Sequence, residues 1–210
     1  MTNGSRVIYW IGGSPWSGKS TIAGRIADKY GFTYYKCDDF TSAHSEKCQA
    51  DVHPTMHKIK QLLLKDNFSR PVEEQLADTV AFYREEFAMV LADITQMDTD
   101  KPILVEGAAL LPELVHQHYG DRIRGVWVIP TKEFQLEHYA KRMWIHSILK
   151  DCDDPGQCFA NWMVRDSRFA EFIKGEVHAR GLDLIIVDGN TAVEDTQANI
   201  EEQFGLNTGE

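Results

Sequence analysis

The chain has 210 residues, 43% of them hydrophobic and 26% charged, with 22 Lys and Arg against 32 Asp and Glu for a net charge of -10. This composition fits one globular domain, 1–210, and excludes a disordered or fibrous chain. The acidic surplus repels a phosphate backbone, so no nucleic-acid partner is expected.

In chain order, the first apolar run is Arg6-Val7-Ile8-Tyr9-Trp10-Ile11, followed by a glycine-rich turn and a helix from Ser20 to Tyr30 that stops at Gly31. Thr33-Tyr34-Tyr35-Lys36-Cys37 reads as a second strand. A long helix covers Pro71 to Met97, with Val72, Leu76, Val80, Phe87, Val90, Leu91 and Ile94 at helical spacing. Ile103-Leu104-Val105 is the third strand and Gly125-Val126-Trp127-Val128-Ile129, closed by Pro130, the fourth. A helix opens at Thr131 and continues from Glu133 to Leu149, and Lys150 to Gly156 reads as a loop. Leu182 to Val187 is the fifth strand and Val193 to Phe204 the last helix. Near-continuous apolar strands alternating with helices predict an α/β three-layer sandwich around a five-stranded parallel sheet. Strands two and three stand roughly 65 residues apart, far more than a crossover needs, so a helical insertion at 40–100 is expected over the site.

No run reaches the roughly 18 apolar residues of a membrane-spanning helix. Met1 to Arg6 carries no secretory pattern, so no membrane partner is expected. Cys37, Cys48, Cys152 and Cys158 form no Cys-x-x-Cys pair, which fits reduced thiols and a cytoplasmic protein. A zinc set of Cys37, His44, Cys48 and His53 matches no standard ligand spacing.

The sharpest signal is Gly13-Ser14-Pro15-Trp16-Ser17-Gly18-Lys19-Ser20, followed by Thr21, which fits G-x-x-x-x-G-K-[ST] between a strand and a helix. Average composition gives such a match by chance in under about 1% of chains this long. Glycines let successive N–H groups converge on an anion, and the helix start adds its dipole. Lys19 supplies a mobile charge for the β- and γ-phosphates, and the Ser20 hydroxyl is a hard ligand for Mg²⁺. Residues Gly13 to Thr21 are therefore the expected nucleotide-binding set.

Ligands of parallel sheets sit beyond the carboxyl ends of the strands. Those ends carry Asp38-Asp39-Phe40, Glu106-Gly107 and Asp188-Gly189-Asn190. Glu106 looks like the acidic end of a Walker B strand and is a candidate to hold Mg²⁺ with Ser20. Asp38 and Asp39 are candidates for a base beside an acceptor hydroxyl, or for a turn pair at a helix start.

On these residues the chain resembles P-loop small-molecule kinases, the broad group that includes nucleoside, nucleotide, shikimate and chloramphenicol kinases. The resemblance covers nearly the whole length and rests on the phosphate loop, the acidic pair, Val105-Glu106-Gly107 and Asp188-Gly189. It implies a P-loop nucleoside triphosphate hydrolase-like fold, ATP and Mg²⁺ as cofactors, and a small-molecule acceptor, with a homodimer left open. Asp38-Asp39-Phe40 is similar to the D-x-F segment of uridine-kinase and phosphoribulokinase-like enzymes, which implies that Asp38 is the base and Asp39 a substrate or metal partner. Asp188-Gly189 resembles the segment near adenine. The chain departs from nucleotide-monophosphate kinases in its long insertion and from GTPases in having no N-K-x-D. A nucleotide-dependent switch without an acceptor is the alternative.

Such kinases close a lid whose arginines steady the transferred phosphoryl group. The expected lid is 142–170, with Arg142, Arg165 and Arg168 as the clamp; Arg142 is placed like the arginine that covers adenine or phosphates in nucleotide kinases. On the acceptor side the candidates are His44, His53, Arg70, Tyr83 and Arg84.

Overall fold

The structure is a computed structural model that describes residues 6–120, 123–140 and 147–206. Five strands form one sheet: β1 (Ile8–Gly13), β2 (Thr33–Lys36), β3 (Ile103–Glu106), β4 (Arg124–Pro130) and β5 (Asp183–Val187). All pairings are parallel, in the order β2-β3-β1-β4-β5. Nine helices are described: α1 (Lys19–Tyr30), α2 (Cys37–Lys47), α3 (Pro54–Gln61), α4 (Leu64–Ser69), α5 (Val72–Gln96), α6 (Pro112–Tyr119), α7 (Lys132–Ala140), α8 (Pro155–Arg180) and α9 (Val193–Gln203).

The alternation of side chains along the strands builds the three layers. Trp10, Ile103, Val105 and Trp127 face α5, α6 and α8, packing on Val90, Val115 and Ile173. Tyr9, Ile11, Leu104, Val126 and Val128 face the other way, onto Ile22 and Ile26 of α1 and Ile200 of α9. With both faces covered, the strands carry apolar side chains in succession, as the sequence pattern requires. No described helix is long and apolar enough to cross a membrane.

The insertion between β2 and β3 is helical, running from α2 through α5. Glu85 of α5 fixes one of its corners by accepting the backbone N–H groups of Thr55 (2.9 Å) and Met56 (2.8 Å), free donors at the start of α3. Two boundaries differ from the sequence expectation. β2 ends at Lys36, so Asp38 and Asp39 lie in the first turn of α2, where the helix dipole favours acidic side chains. Between β4 and β5 stands a 26-residue helix, α8. It opens at Asp154, whose side chain accepts the Gln157 N–H at 2.9 Å. The expected helix through Leu149 crosses 141–146, which lie outside the described residues.

The sheet registers Glu106 opposite Ile11 and Lys36, so the ends of β1, β2 and β3 open onto one edge. β1 turns into the next loop only because Gly13 has no side chain: its φ is 128°, and a Cβ there would fall 1.9 Å from the carbonyl oxygen of Val128. Gly24 lies inside α1 with open space where a Cβ would stand. Gly13→Ala should therefore cost about 3 kcal/mol or more, whereas Gly24→Ala should add about 0.5–1 kcal/mol, both read by urea unfolding.

Candidate active site

The loop Ser14–Gly18 joins β1 to α1. Trp16 holds φ 68° and Gly18 φ 80°, two left-handed residues that wind the backbone into a tight arc ahead of the helix. A tryptophan held in that region is strained, and its ring is fixed against Tyr139 of α7 at 4.1 Å between centroids. Ser14 and Ser17 are buried, while Ser20 and Thr21 are exposed on the first turn of α1.

Lys19 is 6% exposed and folds back over the loop. Its Nζ donates to the Ser14 carbonyl at 2.9 Å and lies 3.9 Å from Glu106 Oε1. Glu106 is buried at the end of β3, and Tyr34 Oη donates to its Oε2 at 3.1 Å. Burial and the neighbouring Glu106 charge push the Tyr34 hydroxyl far above its ordinary value, so it remains a donor and fixes the carboxylate.

Beside the loop lies a cavity of about 350 Å³ whose wall includes Pro15, Asp38, Arg70, Tyr83 and Arg165. Asp38 comes from the start of α2, Arg70 from the α4–α5 junction, Tyr83 from α5 and Arg165 from α8. Arg165 donates through Nε and Nη2 to Asp166 Oδ1 at 2.8 and 2.6 Å. Asp166, 3% exposed, also accepts from Trp162 Nε1 at 3.1 Å and from the Tyr139 hydroxyl. Contacts thus run from Trp16 in the loop through Tyr139 and Asp166 to Arg165 in the cavity.

The other expected residues fall as follows. Asp39 is exposed and lies 3.6 Å from Lys36 Nζ. Arg168, on α8, pairs with Glu73 at 2.5 Å and is not among the cavity's lining residues. Arg142 lies outside the described residues. Asp188 accepts from Asn190 N and Nδ2, each at 2.9 Å, in a turn where Gly189 has φ 88°. His44 is buried, with Nδ1 3.1 Å from Glu86 Oε1 and Nε2 2.9 Å from Asp93 Oδ2, which ties α2 to α5. His53 Nδ1 accepts the Gln49 N–H, and Arg84 pairs with Glu113 at 2.6 Å. Cys37 and His44, two of the four residues whose spacing matches no standard zinc pattern, are both buried, and no group of three or more metal-ligating side chains is found among the described residues.

Asn67, Gln75, Asp78 and Asp166 are among the residues of the cavity wall that the sequence alone did not single out. The carboxylates Glu86 and Asp93, which hold His44, stand seven apart on α5, a spacing that puts both on one helical face.

Solved structures share this fold. Shikimate kinase from Acinetobacter baumannii in complex with shikimate matches with a TM-score of 0.52 at 14% identity, covering 98% of this chain and 97% of that one. The Thermus thermophilus protein TT1252 matches with a TM-score of 0.52 at 15% identity, covering 97% and 99%. The chain has the P-loop small-molecule kinase fold. No protein-family model matches it, and no curated protein does. Within that kinase fold, the mouth of the sheet carries the phosphate-loop sequence, and the helical insertion supplies one side of the cavity.

The cavity wall also has a pH signature. Burial works to raise the Asp78 carboxyl, but hydrogen bonds from Arg70 and Lys58 outweigh it and hold the group below its ordinary 3.8. A carboxyl lowered by folding stabilises at pH above 3.8, and that contribution is lost as pH falls through the lower folded value. Asp78→Asn should cost about 1–2 kcal/mol at pH 7 and little at pH 2–3, measured by urea unfolding across pH.

Proposed function

We propose that the chain is an ATP-dependent, Mg²⁺-requiring phosphotransferase that moves the γ-phosphoryl group to a hydroxyl or phosphate of a small metabolite. The observation that carries this reading is the shared wall: Pro15 of the phosphate loop and Asp38 in the first turn of α2 line the same cavity. A nucleotide switch has no use for an acceptor-sized cavity with a carboxylate at its phosphate end.

In this reading the backbone N–H groups from Gly13 to Ser20 and the start of α1 hold the phosphates, and Lys19 exchanges the Ser14 carbonyl for a phosphate oxygen. Ser20 and Glu106 are the side chains that would hold Mg²⁺. A serine hydroxyl and one buried carboxylate suit an ion that arrives on phosphates and keeps several waters. When bound, Mg²⁺ would neutralise charge on the phosphate oxygens.

Asp38 orients the acceptor hydroxyl and takes its proton as the oxygen attacks the γ-phosphorus. The bond from that phosphorus to the bridging oxygen breaks and ADP departs with the electron pair. Asp39 stands one residue on, beside Lys36, as a partner for substrate or metal. Arg165, held by Asp166 on the cavity wall, steadies the transferred group, and Arg142 and Arg168 complete the lid's positive charge. Asp188 and Gly189 border the adenine side. The shikimate-bound neighbour of the same fold supports a small-molecule acceptor.

Asp38→Asn should lower acceptor-dependent ADP release by about 100-fold or more while leaving ATP affinity within about threefold. Coupled-assay kinetics and calorimetric ATP titration read the two separately. Unchanged turnover would favour the switch.

A further inference from the structure

We infer that the acceptor is an electrically neutral, ring-bearing alcohol, anchored by a second hydroxyl at Arg70 and Gln75, rather than a metabolite carrying a carboxylate or phosphate. The inference rests on the phosphotransferase reading above and narrows its acceptor.

The charge of the cavity argues first. The charged side chains on its wall are Asp38, Arg70, Asp78, Arg165 and Asp166. Arg165 is occupied by Asp166 at 2.6 and 2.8 Å. Arg70 donates through Nη1 to Asp78 Oδ2 at 2.5 Å and through Nη2 to Asn67 Oδ1 at 2.5 Å. Lys58, outside the wall, adds a further hydrogen bond to Asp78 at 2.8 Å. Each guanidinium is therefore matched by a carboxylate, and Asp38 is the charge left over on the wall. An anionic acceptor would meet three carboxylates. To claim the full charge of either guanidinium it would have to displace the carboxylate already paired there and strand a poorly solvated Asp78 or Asp166.

Hydrogen bonding argues second. Two buried atoms on this wall have no partner among the described residues: Arg70 Nε, a donor, and Gln75 Oε1, an acceptor. Gln75 is 1% exposed, and its Nε2 donates to the carbonyls of Arg70 (2.8 Å) and Phe68 (3.2 Å). Two carbonyl partners fix which end of the amide is nitrogen, so the free end is the oxygen. One spare donor and one spare acceptor, on residues joined by the Gln75 Nε2–Arg70 carbonyl hydrogen bond, complement a hydroxyl, which both gives and takes. A carboxylate or phosphate oxygen without a proton only accepts, and would set its lone pairs against Gln75 Oε1.

Shape argues third. Phe82, Tyr83, Phe169 and Ile59 supply the apolar part of the wall, with the Tyr83 and Phe169 rings 5.6 Å apart. Such a surface suits the face of a ring.

The test uses the full chain with MgATP and matched pairs of acceptors differing only in charge: uridine and uridine monophosphate, adenosine and adenosine monophosphate, methyl shikimate and shikimate. Neutral members should support acceptor-dependent ADP release with kcat/KM at least about tenfold above their anionic partners. Gln75→Met should raise KM for the neutral substrate about tenfold with little change in kcat. Because Gln75 also ties α4 to α5, Asp78→Asn serves as a second variant: with Arg70 released, selectivity should move about tenfold toward the anionic member. Wild-type preference for the anionic members, or equal use of both, would overturn the inference and leave the phosphotransferase reading standing. ATP binding with no acceptor-dependent release from any pair would overturn both.

Discussion

The close approach of Gly13 to Val128 decides where β1 stops being a strand. A side chain at that position would collide with the neighbouring strand's carbonyl oxygen. Without one, the backbone leaves the sheet, passes through the left-handed Trp16 and Gly18, and enters α1 at Lys19. Everything else at the mouth of the sheet is arranged around that arc. Lys19 folds over it, Glu106 stands beneath the Lys19 ammonium, and the Trp16 ring braces it from outside against Tyr139. The loop is thus set by backbone sterics on one side and by aromatic packing on the other.

Electrostatics then separates two compartments. In the phosphate compartment the buried Lys19 has a nearby carboxylate at 3.9 Å and a carbonyl at 2.9 Å, a loose arrangement that an arriving anion can replace. In the neighbouring cavity the guanidiniums of Arg70 and Arg165 are held at 2.5–2.8 Å by their own carboxylates, an arrangement that costs much more to open. One site is poised for negative charge and the other is already neutralised. On the proposed function, that difference would put the triphosphate in the first and an uncharged acceptor in the second, with Asp38 between them.

The phosphate loop was legible because its chemistry is local: eight consecutive residues fix both the turn and the charge. The positions of Glu106 and of the helix start carrying Asp38 could be anticipated because parallel strands deliver their carboxyl-terminal ends to one edge, so a strand assignment carries a position in space. The parallel sheet and its two covered faces followed from unbroken apolar runs such as Ile103-Leu104-Val105. Gln75 and Asp78 were hidden for the opposite reason. They lie among the polar positions of a long amphipathic helix, and only the packing of α5 against α3 and α8 turns those positions toward a cavity. Asp166 was visible only as a local partner of Arg165. Its hydrogen bond from Tyr139, 27 positions away, exists because α7 and α8 meet in the fold. Helix α8 itself carries Trp162, Phe169, Ile173 and Val177 at helical spacing, a pattern the sequence analysis did not use because it followed the arginines of that stretch.

The most direct measurement is calorimetric titration of the folded chain with ATP, with and without Mg²⁺, beside Lys19→Ala. The expected result is binding that requires Mg²⁺ for full affinity and weakens by about tenfold or more when the Lys19 ammonium is removed. A folded protein that binds neither ATP nor GTP in the presence of Mg²⁺ would contradict the assignment of the arc as a triphosphate cradle.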